Sequence, residues 1–286
     1  MISSKTKIGL LVAGHVVAGL LLGWACHDRG PGTSPKAISL YSLAFTQAGL
    51  LGIWGGLGTT RAMWRIPAVF ITAAYVCAEL LTVENAWDYS PMSHLRLVAS
   101  PTVGILVLLS GLRHGRRRLC VVQSLVSSPT GTGLQYTSRH LLLATAVVAV
   151  VLATGRGLRP LFDGGWIYHQ VLFTAILILV LILVELATLW AALGIGRPTP
   201  KLAVVVPSAF VVEAILAYYQ EDILPTDWGG LSDFIFWPAV VGLQAIITAG
   251  SLLVVRSCGW RLVRGAATDG KAAREEIEPL PTPPGS

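Results

Sequence analysis

Three ionisable side chains stand inside runs of sequence that are otherwise apolar, and a fourth stands near the edge of one. Glu185 lies within ILVLILVELATLW, Glu213 within AFVVEAILAYY and His15 within LVAGHVVAG, while Glu79 lies closer to the end of YVCAELLTV. A charge at the centre of a bilayer costs at least about 2.5–3.5 kcal/mol on insertion scales, so such a group is a functional candidate by default. A carboxyl there has two chemical uses: it can carry an exchangeable proton, or it can bind a cation in a cavity. The structural alternative is a neutral carboxyl hydrogen-bonded between helices. For Glu185 and Glu213 both readings are open. For His15 packing is favoured, because glycines flank it and a neutral imidazole can bond across a close helix interface. Glu79 is near enough to the interface to reach water by snorkelling. Gln47 and Gln244 are the uncharged polar residues of these runs.

Other chemistries find little support. No phosphate-binding loop, zinc-protease helix, nucleophile elbow or dinucleotide fingerprint is present. His27, His94, His114 and His169 have no metal-ligand spacing, and Cys26, Cys77, Cys120 and Cys258 contain no CxxC pair, so no cofactor or metal is expected. A membrane-embedded enzyme is therefore the third reading, behind a translocator and a scaffold. The net charge of +6 does not point to nucleic acid, because the basic residues adjoin apolar runs.

The elements that must position these residues follow from composition. Of 286 residues 53% are hydrophobic and 13% charged, with a mean hydropathy of +0.67, against about 25% charged in soluble domains. A spanning helix needs about 20 mostly apolar residues. Eight runs approach this: 8–26, 37–58, 66–82, 95–112, 141–155, 166–193, 202–219 and 237–255. An all-α bundle of eight transmembrane helices is expected, in contact with the lipid bilayer and open to a membrane-protein partner or a second copy.

With eight spans, 16 of the 21 Lys and Arg fall on one side, including Arg61, Arg65, Arg116, Arg139, Arg197, Lys201 and Arg256. Asp28, Glu84, Asp88, Asp163, Glu221, Asp222, Asp227 and Asp233 fall on the other. The positive-inside rule then places both termini in the cytoplasm of a cell with an inner (plasma) membrane. The tryptophans, among them Trp24, Trp54, Trp64 and Trp190, lie near predicted helix ends, as a belt residue should. The first run resembles a signal peptide in its Lys5 and Lys7, but its length favours a retained helix.

The sequence also repeats itself. WGGLGTTRAMWRIPAVF from Trp54 matches WAALGIGRPTPKLAVVV from Trp190 without a gap, pairing Gly58 with Gly194, Arg61 with Arg197 and Arg65 with Lys201 at an offset of 136. Pro101 pairs with Pro238 and Val103 with Val240 at an offset of 137. A duplicated four-helix unit is expected, its halves parallel because each has an even number of spans. The divisions are 1–112 for the first unit, 113–140 for a basic cytoplasmic loop, 141–264 for the second unit, and 265–286 for a Pro-rich tail expected to be disordered.

In the segment LQYTSRHLLLATAVVAVVLA, Gln135, Tyr136, Thr137 and Arg139 precede a Leu-rich run. The segment resembles one that recurs in uncharacterised bacterial multi-pass membrane proteins, where Gln, an aromatic, Ser or Thr, and Arg form a collar before a helix. The resemblance covers about twenty residues, implies bacterial origin and carries no activity. Two function classes stand at this point: translocation of a small solute or ion through intramembrane glutamates, or a non-catalytic scaffold or complex subunit that docks through the 113–140 loop.

Overall fold

Helices form wherever the described chain is apolar, and most run past the apolar stretch that predicts them. Hydropathy marks only the part of a helix in hydrocarbon, whereas the backbone hydrogen-bond ladder continues into the polar flanks. The computed structural model describes residues 3–27, 35–58, 61–83, 91–114, 119–123, 166–194, 196–223 and 231–264. In order these hold α1 (Ser4–His27), α2 (Pro35–Leu57), α3 (Ala62–Val83), α4 (Pro91–His114), β1 (Leu119–Gln123), α5 (Trp166–Leu193), α6 (Pro198–Ile223), α7 (Leu231–Ser257) and β2 (Trp260–Arg264). Pro35, Pro91 and Pro198 open their helices at the first position, where a missing N–H breaks no intrahelical bond. The predicted run 141–155, most of the 113–140 loop and the 265–286 tail lie outside the described residues.

The described fold is all-helical apart from one two-stranded ribbon. Thr6–Cys26, Pro35–Leu57, Thr174–Leu193, Pro198–Tyr218 and Ile235–Ser257 are long and apolar enough to cross a membrane, and α3 and α4 carry shorter apolar stretches, Ala62–Ala78 and Val98–Leu112. Several long apolar helices mark the chain as a membrane protein. Packing supports this assignment. Only 6% of the α1 span and 17% of the α6 span is buried, against 61% of the α2 and α5 spans. Leu10, Val17 and Leu20 on α1, and Val204, Val211 and Ile215 on α6, turn outward. In water such apolar faces would be a liability; against lipid they are the solvent-exposed surface.

Helix α2 is central and packs on α1, α3, α4 and α7, while α5 packs on α4, α6 and α7 and touches α2. Glycines bring α2 and α4 close. A β-carbon at Gly52 would sit 2.9 Å from Ile105 Cβ and from the Thr102 carbonyl, and one at Gly56 would sit 2.5 Å from Leu109 Cβ. Without a hydrophobic drive between helices in lipid, such close approach supplies the van der Waals contact that holds them.

Helices α2 and α5 end alike. The Gly58 N–H donates to the Trp54 carbonyl at 2.8 Å and the Gly194 N–H to the Trp190 carbonyl at 2.9 Å. Arginines complete both ends: Arg65 donates to the Gly58 carbonyl, and Arg256 donates to the carbonyls of Ala192 (2.6 Å), Gly194 (2.8 Å) and Gly196 (2.6 Å). Lys201 lies 4.2 Å over the Trp190 ring. This is the basic end of the bundle.

Strands β1 and β2 pair antiparallel there, centred on Val121 opposite Leu262. Leu262 is buried among Ile53, Leu57, Leu109, Leu193 and Leu252. The ribbon was not expected: LCVVQ has strand composition, but its five residues are embedded in a basic stretch that hydropathy reads as loop.

Candidate functional site

Two apolar clusters divide the bundle along its length. One holds Leu40, Phe45, Ala48, Leu177, Val184, Val241 and Ala245, and the other holds Ile53, Ile105, Leu109, Leu189, Leu193 and Leu252. On each of α2, α5 and α7 the first cluster ends one or two turns before the second begins. Almost wholly buried polar side chains gather where the clusters meet: Thr102 on α4, Glu185 and Thr188 on α5 and Thr248 on α7 lie between the two, while Thr46 on α2 and Gln244 on α7 lie at the inner edge of the first. They form a polar layer between two apolar seals.

Glu185 is the centre of the layer and is 1% exposed. Its Oε1 accepts from the Gln244 amide Nε2 at 2.8 Å and from the Thr248 hydroxyl at 2.9 Å. The Thr46 hydroxyl lies 3.4 Å from that of Thr248 and donates to the Gln244 carbonyl at 3.3 Å. Thr188 and Thr102 donate to carbonyls one turn back, Val184 at 2.7 Å and Val98 at 2.8 Å, and the Thr102 hydroxyl also lies 3.2 Å from the Ala48 carbonyl of α2. Gln244 and Thr248 can both reach Glu185 because a spacing of four puts them on one face of α7.

Two acceptors in the layer have no hydrogen-bond partner, Glu185 Oε2 and Gln244 Oε1. Buried polar groups are normally paired, so orphans call for an explanation such as a proton, a water or an ion. Gly49 closes another side: a β-carbon there would clash with Glu185 Cδ, Oε1 and Cγ.

The other candidates lie elsewhere. Glu213 is 1% exposed, with Ala209 and Ala217 buried one turn to either side, so it faces the interior. Its Oε2 has no partner, and no hydrogen bond joins it to Glu185, Gln244 or His15. Counting from the α5–α6 turn at about 1.5 Å per residue, Glu185 lies ~12 Å deep and Glu213 ~22 Å deep, so the two carboxyls differ by ~10 Å along the helix axes. His15 is half-buried. Its Nε2 is 2.8 Å from the Ser251 hydroxyl, its carbonyl accepts from Gln47 Nε2 at 3.1 Å, and its Nδ1 is unpartnered. It ties α1 to α2 and α7. Glu79 is on α3, and its side chain lies outside the described residues. Among the described residues no group of His, Cys, Asp or Glu is placed to hold a metal ion.

Thr46, Gly49, Thr188 and Thr248 were not singled out from the sequence. The one available signal was the four-residue spacing of Gln244 and Thr248 on a helix. Comparison with protein-family models, with curated proteins and with solved structures gives no match.

Proposed function

We propose that the chain translocates a small solute or ion across a membrane, with Glu185 as its exchange site. The observation that carries this reading is the buried carboxyl of Glu185, one oxygen bonded twice and the other unpartnered, in a polar layer sealed by apolar clusters above and below. A site that must be reached from either side in turn needs this arrangement: a polar centre, with closures that open one at a time. Glu213, about 10 Å further along the helix axes, is a second station on the same route. The competing reading, a scaffold or complex subunit, takes the same carboxyl as interhelical glue.

Two architectural readings belong with this one. Both termini face the cytoplasm of an inner (plasma) membrane, with the basic end inward, and the run 141–155 completes eight spans. The chain is also a duplication. At the offset of 136, Leu40, Tyr41, Ala44, Phe45, Ala48, Gly49, Gly52 and Ile53 match Ile176, Leu177, Val180, Leu181, Val184, Glu185, Thr188 and Leu189, and every one of these is buried. The matched helix ends at Gly58 and Gly194 support the same reading. The offset of 137 does not carry over to α4 and α7, since Val103 is exposed and Val240 fully buried.

The test is proton flux into liposomes that contain the purified protein and a trapped pH-sensitive dye, driven by an imposed potential. Wild type should acidify the lumen, and Glu185→Gln should not, at equal incorporation. Equal flux in both would remove Glu185 from the route and favour the scaffold.

A further inference from the structure

The exchange site has a chemical identity and a place in the duplication that the reading above leaves open. We propose that Glu185 is a one-proton site lying on the axis between the two halves, seated in a socket formed by its own counterpart, Gly49. The inference rests on the two readings above, Glu185 as the exchange site and the chain as a duplication.

The ligand follows from the direction of the hydrogen bonds. Gln244 N–H and Thr248 O–H both donate, and both donate to Oε1. A neutral carboxylic acid accommodates this, its carbonyl oxygen accepting both bonds while the other oxygen bears the proton. A carboxylate would leave a charged Oε2 buried without a donor, which is costly, and a metal cation would gather oxygen acceptors around itself, about six to eight for calcium. Here two neighbours point hydrogens at the acid, and the α2 backbone at Gly49 closes the remaining side. A proton needs no volume of its own. Release breaks the O–H bond at Oε2, leaves the electron pair on the carboxylate and passes the proton to water; uptake is the reverse.

The place follows from numbering and contact together. Gly49 and Glu185 are counterparts at the offset of 136, and they are also in contact. In an object with a twofold axis, a residue meets its own counterpart only at the axis. Reckoned at 139, Gln244 and Thr248 match Ile105 and Leu109, all four buried, and Ile246 matches Val107, both exposed, although exposed Val103 and Leu112 fall on buried Gly242 and Ser251. The second half therefore carries acid, amide and hydroxyl where the first carries glycine and two aliphatics. One acid fits at the axis because its counterpart has no side chain; two carboxyls there would overlap. Gly49 is thus a positioning residue.

The experiment combines infrared spectroscopy of the carboxyl carbonyl stretch with melting of the purified protein in detergent. Wild type should show a neutral-carboxyl band that Glu185→Gln lacks and that exchange of potassium for sodium or calcium leaves in place. Gly49→Ala should move that band and lower the melting temperature, because the new methyl displaces the carboxyl from Gln244 and Thr248. In a Glu185→Gly background the same alanine should cost nothing, and the Gly49→Ala/Glu185→Gly double variant remains informative where Gly49→Ala alone does not fold. A band that shifts with sodium or calcium, an unmoved band in folded Gly49→Ala, or an equal loss of melting temperature in both backgrounds would overturn the proposal. The expected band behaviour without any proton flux would leave Glu185 as a protonated carboxyl seated against Gly49 and remove proton translocation. Flux lost in Glu185→Gln together with a sodium-sensitive band would do the reverse.

Discussion

Glu185 and Gln244 illustrate what a single residue reveals in sequence and what it conceals. An acid inside ILVLILVELATLW is visible because hydrocarbon tolerates so few charges. Its partners are not visible, since threonine and glycine are ordinary packing residues in membrane helices, and only the crossing of α2 with α5 brings position 49 to position 185. The bonds rank the expected effects of substitution. Thr248→Val removes one donor and should lower stability by about 0.5–1.5 kcal/mol, read from unfolding in mixed micelles. Glu185→Ala leaves the Gln244 N–H without its acceptor and should cost more, about 1–3 kcal/mol for the stranded donor alone. Glu185→Gln keeps a carbonyl for both donors and should melt close to wild type. Equal losses in Thr248→Val and Glu185→Gln would show that the layer is not organised by these two bonds.

At the scale of elements, hydropathy located each described helix, because an apolar run of spanning length has no other stable form in lipid. It placed the ends less well: α6 starts at Pro198 rather than residue 202, and α4 runs to His114. Those ends are set by capping, which hydropathy does not sense. Arg256 holds three carbonyls at the end of α5 with one planar guanidinium, a geometry that lysine cannot reproduce. Arg256→Lys should therefore recover little of what Arg256→Ala loses. Because the group is part-exposed, that loss should fall below the roughly 1.5–3 kcal/mol typical of a charged hydrogen bond. Gly196 has φ +91° with open space around its Cα, so Gly196→Ala should cost about 1–2 kcal/mol from backbone conformation alone. Both effects are readable as shifts in melting temperature.

At the scale of the whole molecule, the apolar helices of a membrane protein were legible because they are patterns of composition and length, and the proposed repeat and orientation rest on spacing and charge in the same way. The polar layer was not, since it exists only where four helices meet. Orientation is tested by reporter fusions, which should read cytoplasmic after Arg118 and Lys271 and external after Asp227; an external signal after Arg118 would invert the arrangement. The axis is tested by a disulfide. Ile53 and Leu189 lie one turn beyond Gly49 and Glu185 and share a buried cluster. Cysteines at 53 and 189, in a background without the native four, should oxidise to a cross-link within one chain, while a pair at 53 and 204 should not. Failure of the first pair to cross-link would separate the counterparts and end the duplication reading.

The central claim is that Glu185 holds an exchangeable proton inside the membrane, and an apolar carbodiimide tests it most directly. Such a reagent partitions into hydrocarbon, requires a protonated carboxyl for its first step, and leaves an adduct that mass spectrometry assigns to a residue. The account predicts an adduct on Glu185, formed at the rate at which proton flux disappears and absent from Glu185→Gln, whose flux is already lost. Complete labelling of Glu185 with flux unchanged, or flux lost while Glu185 stays unmodified, would contradict it.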